Sequence, residues 1–326
     1  MFWTLSLGEL ARSLTAGQET ARQGFRSLDT SAPDLSDEWR HLVIELEDVP
    51  ELRDPIMIAA FEGWNDAGEA ASGAIEHLIE VWDAEPIAAI DPEDYYDFQV
   101  NRPRVVVEDG KRRISWPTTR ILLASSTSLQ RDIILVQGVE PSTRWRSFTI
   151  ELLEYARLLD VSTFVTLGAL MADVAHTRPI QVTATSEHED VIHRLDLETS
   201  QYEGATGIVG VLADAAGQAD LPSLSCWAAV PHYASGTPSP KATLALITKL
   251  EELLNLSIPR ADLVDQAREW ERNVDELAES DDEVAEYVHA LEKAQDTADL
   301  PEASGDAIAR EFERYLRTRQ DEPPTG

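Results

Sequence analysis

The run Ile56-Met57-Ile58-Ala59-Ala60-Phe61-Glu62-Gly63-Trp64-Asn65-Asp66-Ala67-Gly68 decides the fold. Six apolar residues end in a polar, glycine-bracketed turn. Ala71, Ala74, Ile75, Leu78, Ile79 and Trp82 then follow at helical spacing. The stretch reads as strand, tight turn, helix. Asn65 or Asp66 can cap the helix start. In open α/β sheets ligands sit where strand ends meet helix starts, so this turn is the first place to seek a site.

The same alternation extends outward. Apolar strand runs are expected at 41–46, 56–61, 86–90, 119–124, 132–137, 162–167, 179–185 and 223–230. Helical runs are expected at 66–82, 145–159, 187–195 and 206–217. Such alternation implies an α/β sandwich, with helices on both faces of a mostly parallel sheet. One segment interrupts it: Asp109-Gly110 between residues 104–108 and 112–116 signals a β-hairpin, which makes the sheet mixed.

Beyond about residue 240 the pattern is helical, at 240–255, 260–279, 281–298 and 304–319, punctuated by Pro259, Ser280 and Pro301. Leu263, Ala267, Trp270, Val274 and Leu277 form one apolar stripe. Residues 251–326 hold 22 acidic and 8 basic residues, a net of −14. Three regions are expected: a flexible extension at 1–40, an α/β core at 41–255 and an acidic helical subdomain at 256–326.

Net charge is −33 over 326 residues, which argues against nucleic acid or an anionic membrane as the main partner. Cys226 stands alone, so no disulfide can form within the chain, which suits a reducing cytoplasm. There is no signal-peptide pattern and no apolar run long enough to span a membrane. A soluble, cytoplasmic protein is expected.

Five loops hold the polar residues that look placed. In the first, Asp66 could act as an acid or base or bind a hydroxyl, and Asn65 could line a ligand; both could instead cap the helix. In the second, Glu140, Arg144 and Arg146 follow a strand end. Arg144 could hold a phosphate or carboxylate, or form a surface ion pair beside a Ser142 cap.

The third loop carries Asp173, His176 and Arg178, the densest mix of ionisable types in the chain. His176 suits acid–base work and Asp173 could orient it, or the group could fix an irregular crossover. The fourth spaces Gly204, Gly207 and Gly210 as G-x-x-G-x-x-G, which is neither the dinucleotide fingerprint nor the P-loop. Those glycines, with Thr206 as helix cap, could expose backbone N–H groups to an anion or let a helix pack closely. In the fifth, His232 and Tyr233 could line a pocket ahead of a proline-set helix start.

The catalytic candidates are therefore Asp66, Asp173, His176, Arg178 and His232. The ligand candidates are Asn65, Arg144, Gly204, Thr206, Gly207 and Tyr233. No metal is expected, because His188 and Ile192 break the zinc-protease spacing and no other ligand spacing occurs. No cofactor is expected, and no G-x-S-x-G elbow exists.

Residues 61–68, 176–179, 202–212 and 230–242 together resemble the proteasome-assembly-chaperone-two-like family, in its actinobacterial branch. The likeness spans roughly residues 40–320. Ala175 and Ala205 stand where that pattern would have proline. The resemblance implies the phosphorylase/hydrolase-like αβα sandwich of purine nucleoside phosphorylases, followed by a helical tail. It implies an interaction or assembly protein, a homo-oligomer with a possible protein partner, more than an enzyme. The alternative it leaves open is a nucleoside phosphorylase-like or hydrolase-like enzyme, or a small-ligand binder, built from the strand-end loops.

Overall fold

The computed structural model describes residues 51–298 apart from 109, 125–128 and 237. The expected strand at 41–46, the extension at 1–40 and the helix at 304–319 lie outside these residues. In chain order the strands are β1 (Ile56–Glu62), β2 (Glu85–Ile90), β3 (Arg104–Glu108), β4 (Lys111–Ser115) and β5 (Thr119–Ala124), then β6 (Ile133–Val139), β7 (Thr163–Ala172), β8 (Val182–Thr185) and β9 (Ser223–Pro231). The α-helices are α1 (Ala70–Val81), α2 (Trp145–Leu158), α3 (Glu189–Leu195) and α4 (Ile208–Gln218), then α5 (Pro240–Leu254), α6 (Leu263–Glu279) and α7 (Asp282–Ala298).

Seven strands form one sheet in the order β2-β5-β6-β1-β7-β9-β8, with β1 in the middle. Strands β6, β1, β7 and β9 run parallel, whereas β5 and β8 run antiparallel to their neighbours. The strand at the centre has no solvent face. Ile56, Ile58 and Ala60 enter one core with Ala74, Ile75 and Leu78 of α1 and Leu246 and Leu250 of α5. Met57, Ala59 and Phe61 enter the other, with Phe148 and Leu152 of α2 and Leu212 of α4. An unbroken apolar run is the sequence form of a strand buried on both sides. Each of these fully buried Ile or Phe side chains contributes about 1.5–3 kcal/mol by leaving water.

The expected hairpin pairing of β3 with β4 forms, but the two strands pair only with each other, as a separate two-stranded ribbon. The mixed character of the main sheet comes from β5 and β8 instead. Helices α6 and α7 follow α5. The stripe of α6 is Leu263, Ala267, Trp270, Val274 and Ala278; Leu277 is 68% exposed. The expected fifth member misses the stripe, and the neighbouring Ala278 is buried in its place. Among the described residues no helix is long and apolar enough to cross a membrane.

Four parallel strands end at one edge, at Val139, Glu62, Ala172 and Pro231. The loops that follow these strands, and the starts of α1, α2, α4 and α5, gather there. This carboxyl edge is where all five polar loops meet.

Candidate functional site

At β1 the backbone turns sharply, with Gly63 at φ +119° and Gly68 at φ +59°, conformations that glycine adopts without Cβ strain. The turn aims Asp66 back at α1. Its Oδ1 accepts from the N–H groups of Ala71 (2.7 Å) and Ser72 (3.1 Å), and its Oδ2 accepts from the Ser72 hydroxyl at 2.5 Å. Asp66 therefore satisfies the open end of the helix, and burial pushes its carboxyl upward despite those bonds.

Asn65 does something other than cap. Its Nδ2 donates to Glu140 Oε1 at 2.7 Å, and the same oxygen accepts the backbone N–H of Ile208 at 2.9 Å. Glu140 thus ties the β1 turn to the first turn of α4, where Gly207 holds the cap position without a side-chain bond. Thr206, the expected cap, instead lies beside the carbonyl of Gly207. Gly207 is obligatory for close approach: a Cβ there would sit 2.2 Å from Asn65 Oδ1. A carboxylate already occupies this helix start, so an anion gains nothing there. Gly204 is set apart, against the Tyr202 ring.

In the second loop the Ser142 cap gives way, whereas Arg144 takes the surface ion pair that was the alternative to a ligand. Ser142 caps no helix; its hydroxyl accepts from the backbone N–H of Asp97 and from Asn101 Nδ2. Arg144 pairs with Asp94 and lies over the Tyr95 ring, 5.8 Å from its centroid. Both Arg144 and Asp94 are exposed, so the pair contributes little to stability.

Asp173, His176, Arg178, His232 and Tyr233 do come together, but around the C-terminal helices. His176 is buried. Its backbone N–H donates to the Tyr233 hydroxyl at 2.8 Å, and its Nδ1 lies 2.8 Å from the same oxygen. The Asp275 carboxylate of α6 can only accept, so Nε2 carries the ring proton, and in the neutral ring Nδ1 then accepts from the Tyr233 hydroxyl. Nε2 then donates to Asp275 of α6 at 3.0 Å.

Thr177 donates to Glu292 at 2.6 Å, and Arg178 bonds Glu292 and, bidentately, Asp296 of α7. The Thr177 and His289 bonds, with the Arg178 charge nearby, hold the Glu292 carboxyl below its ordinary value, and the Arg178 bonds do the same for Asp296. Lys241 reaches the carbonyl of His176 and pairs with Glu271 at 2.8 Å. Asp173 does not orient His176. It accepts from Tyr287 at 3.1 Å and lies 3.3 Å from His232 Nδ1, whose ring meets Tyr287 edge-on. The third and fifth loops are thereby fastened to α6 and α7.

The acceptors on the helices, Asp275, Glu292, Asp296 and the Tyr287 hydroxyl, escape a reading of local motifs. They lie about a hundred residues along the chain from their partners. Only the acidic character of the region signals them.

Asp66 stands apart from this group. It borders a groove of about 740 Å³ between α1, α5 and the start of α6. Glu62, Glu69, Glu76, Glu80 and Asp262 share that lining with His77. Burial, then the charges of Glu76, Asp66 and Glu69, raises the Glu62 carboxyl above its ordinary value. Such a lining repels phosphate and carboxylate ligands. Among the described residues no group of three His, Cys, Asp or Glu side chains is arranged to hold a metal ion. Cys226 is fully buried and its thiol is pushed up to about 12 by burial, which leaves it unreactive.

Large apolar side chains are exposed at the edge as well. Trp64 on the β1 turn, Leu170 and Met171 at the end of β7, and Tyr202 before α4 are all exposed.

The profile of the PAC2 family matches residues 60–278. A PAC2 family protein from Streptomyces avermitilis is 53% identical, over 72% of this chain and 100% of that one, with a TM-score of 0.69. A proteasome-assembly chaperone homologue from Mycobacterium tuberculosis is 47% identical, over 72% of this chain and 99% of that one, with a TM-score of 0.65. An archaeal proteasome activator from Pyrococcus furiosus, 19% identical over 72% of this chain and 96% of its own, shares the fold at a TM-score of 0.58. A comparison with curated proteins gives no match.

Proposed function

The chain belongs to the PAC2 family, and on that premise we propose that it is an assembly factor that binds other proteins, proteasome subunits first among them, through the carboxyl edge of its sheet. The observation that carries this reading is the use made of the ionisable loop residues. Asp173, His176, Arg178 and His232 fasten α6 and α7 to the core, and Asp66 caps α1. None of the five is left as an acid or base facing a shared pocket. The exposed groups at that edge, Trp64, Leu170, Met171 and Tyr202, are of the kind that anchor protein contacts. Enzymatic chemistry on a nucleoside-like anion would have to work beside an acidic groove, which disfavours it. A lone buried cysteine and a proteasomal partner both suit the cytoplasm.

The test mixes the purified chain with proteasome subunits from Mycobacterium tuberculosis and follows sedimentation velocity. Co-sedimentation is expected, and Trp64→Glu with Met171→Glu should abolish it while leaving the thermal melt unchanged. Absence of co-sedimentation by the unaltered chain, or binding that survives both substitutions, would sink the reading.

A further inference from the structure

A second cavity opens at the amino edge of the sheet, opposite the five polar loops. It holds about 570 Å³, within the size range of small-molecule sites. Three segments meet there: the loop before β6, the last turn of α3 and the chain just past α5. Arg53 fixes the first of them, because its Nη1 donates to the Leu129 carbonyl at 3.3 Å and its Nη2 to Asp132 Oδ1 at 2.6 Å. Asn255, left-handed at φ +51°, ends α5, and Leu256 beyond it packs against the core.

The lining joins two kinds of side chain. Leu129 and Leu253 are buried, and Leu195, Leu254 and Leu256 are partly buried, so its apolar part is continuous with the core. The polar part is Arg131 and Arg194 with the neutral Gln130, Thr163, Asn255 and Ser257. Each of these six can donate a hydrogen bond, and none is a carboxylate. The chain has 60 acidic residues against 27 basic ones, and the groove beside α1 is lined by six carboxylates. The local charge is therefore reversed here. Asp132, the acid next to Arg131, is buried and held by Arg53.

One effect opposes an anion. The carboxyl ends of α3 and α5 each bring about half an elementary negative charge, which fades within a turn. Against them stand two guanidinium groups, each with a whole charge and five N–H donors. Asp54 shares the charge of Arg131, whereas Arg194 is exposed and forms no ion pair among the described residues. The unshared guanidinium and the donor-only character of its surroundings outweigh the helix ends. An acceptor-only head group satisfies these donors, and an apolar tail fits the leucine wall.

We infer that this cavity binds a small amphiphilic carboxylate of the fatty-acid class, with its head group at Arg194 and Arg131 and its tail along Leu129, Leu195, Leu253, Leu254 and Leu256. This goes beyond the partner binding proposed above and does not rest on it, because the site lies at the other edge of the sheet and is measured on the purified chain alone.

Isothermal titration calorimetry of the full chain with sodium octanoate tests it. Saturable binding is expected, with octanol at least about tenfold weaker because it lacks the charge, and acetate silent because it lacks the tail. Arg194→Glu should weaken octanoate binding about tenfold or more, and Arg194→Lys should retain most of it. Ser257→Trp, which adds an indole at the cavity wall, should abolish it. Arg194 and Ser257 are both exposed, so thermal melts of the variants should match that of the unaltered chain. Absence of saturable heat with octanoate overturns the inference. So does octanol binding as tightly as octanoate, or octanoate binding that either Arg194→Glu or Ser257→Trp leaves unchanged.

Discussion

Arg178 grips Asp296 with two parallel bonds, Nε to Oδ1 at 2.7 Å and Nη2 to Oδ2 at 2.8 Å, across 118 positions of sequence. The planar guanidinium fits the carboxylate edge to edge, so the pair fixes orientation as well as distance. An arginine on a strand-end loop invites a reading as an anion site. Here the anion is supplied by the chain itself, and the same holds for Glu292, which serves Thr177 and Arg178 together.

The strength of this fastening is concentrated at its buried point. Tyr233→Phe deletes the hydroxyl that accepts the His176 backbone N–H and donates to its ring. Two polar groups of a buried residue then lose their partner, at a cost of about 1–3 kcal/mol. Asp275→Asn keeps an acceptor for the ring N–H at a half-exposed position and should cost under about 0.5 kcal/mol. Urea denaturation compares the two, and hydrogen exchange should place the loss in α6 and α7. Equal costs for both variants would show that the hydroxyl does not organise the contact.

Gly207 and Gly210 look alike in the sequence and should respond oppositely to alanine. At Gly207 a Cβ falls 2.2–2.6 Å from three atoms of the buried Asn65 amide, which Glu140 already holds. Gly207→Ala must displace Asn65 and open the tie between β1 and α4, costing about 1–3 kcal/mol. At Gly210 the nearest atom is the Thr206 hydroxyl, at the end of an exposed side chain that can rotate away. Gly210→Ala inside a helix should then be neutral or gain up to about 1 kcal/mol. Thermal melts of the two single variants decide this; a destabilised Gly210→Ala would mean that Thr206 is held in place.

The layers were legible in sequence because each depends on local periodicity. The unbroken run at 56–61, the Asp109-Gly110 turn and the α6 stripe through Val274 need no distant information. What failed depends on a third dimension. Leu277 draws the eye as an apolar residue, but the helix turns Ala278 inward. Thr206 and Ser142 are residues that prefer caps, yet Gly207 and Arg144 occupy the cap positions. Asp173 stands three residues before His176 and suggests a dyad. The fold instead sends Asp173 to His232 and Tyr287, and His176 to Asp275. No spacing rule reaches across the 99 positions between His176 and Asp275.

Acid should act in opposite directions on two parts of the carboxyl edge, the turn after β1 and the contacts to α7. Burial, followed by Glu76, Asp66 and Glu69, lifts Glu62 above 4.5, and burial lifts Asp66 above 3.8. At neutral pH these groups are charged in both states, and the folded chain bears the cost. As pH falls through their raised folded values the cost is relieved, so stability rises; fewer charges in a chain of net −33 adds to the same trend. Glu292 and Asp296 behave in reverse. Hydrogen bonds from Thr177 and His289, and from Arg178, hold them below 4.5 and 3.8 respectively. Their contribution is complete above those ordinary values and is lost as pH falls through the lower folded ones. The expected result is a higher melting temperature near pH 5 than at pH 7, followed below about pH 4 by loss of exchange protection in α7 ahead of the sheet. Calorimetry and hydrogen exchange over that range check both halves. A melting temperature that falls steadily from pH 7, with α7 and the sheet opening together, would contradict the assignment of these four carboxylates.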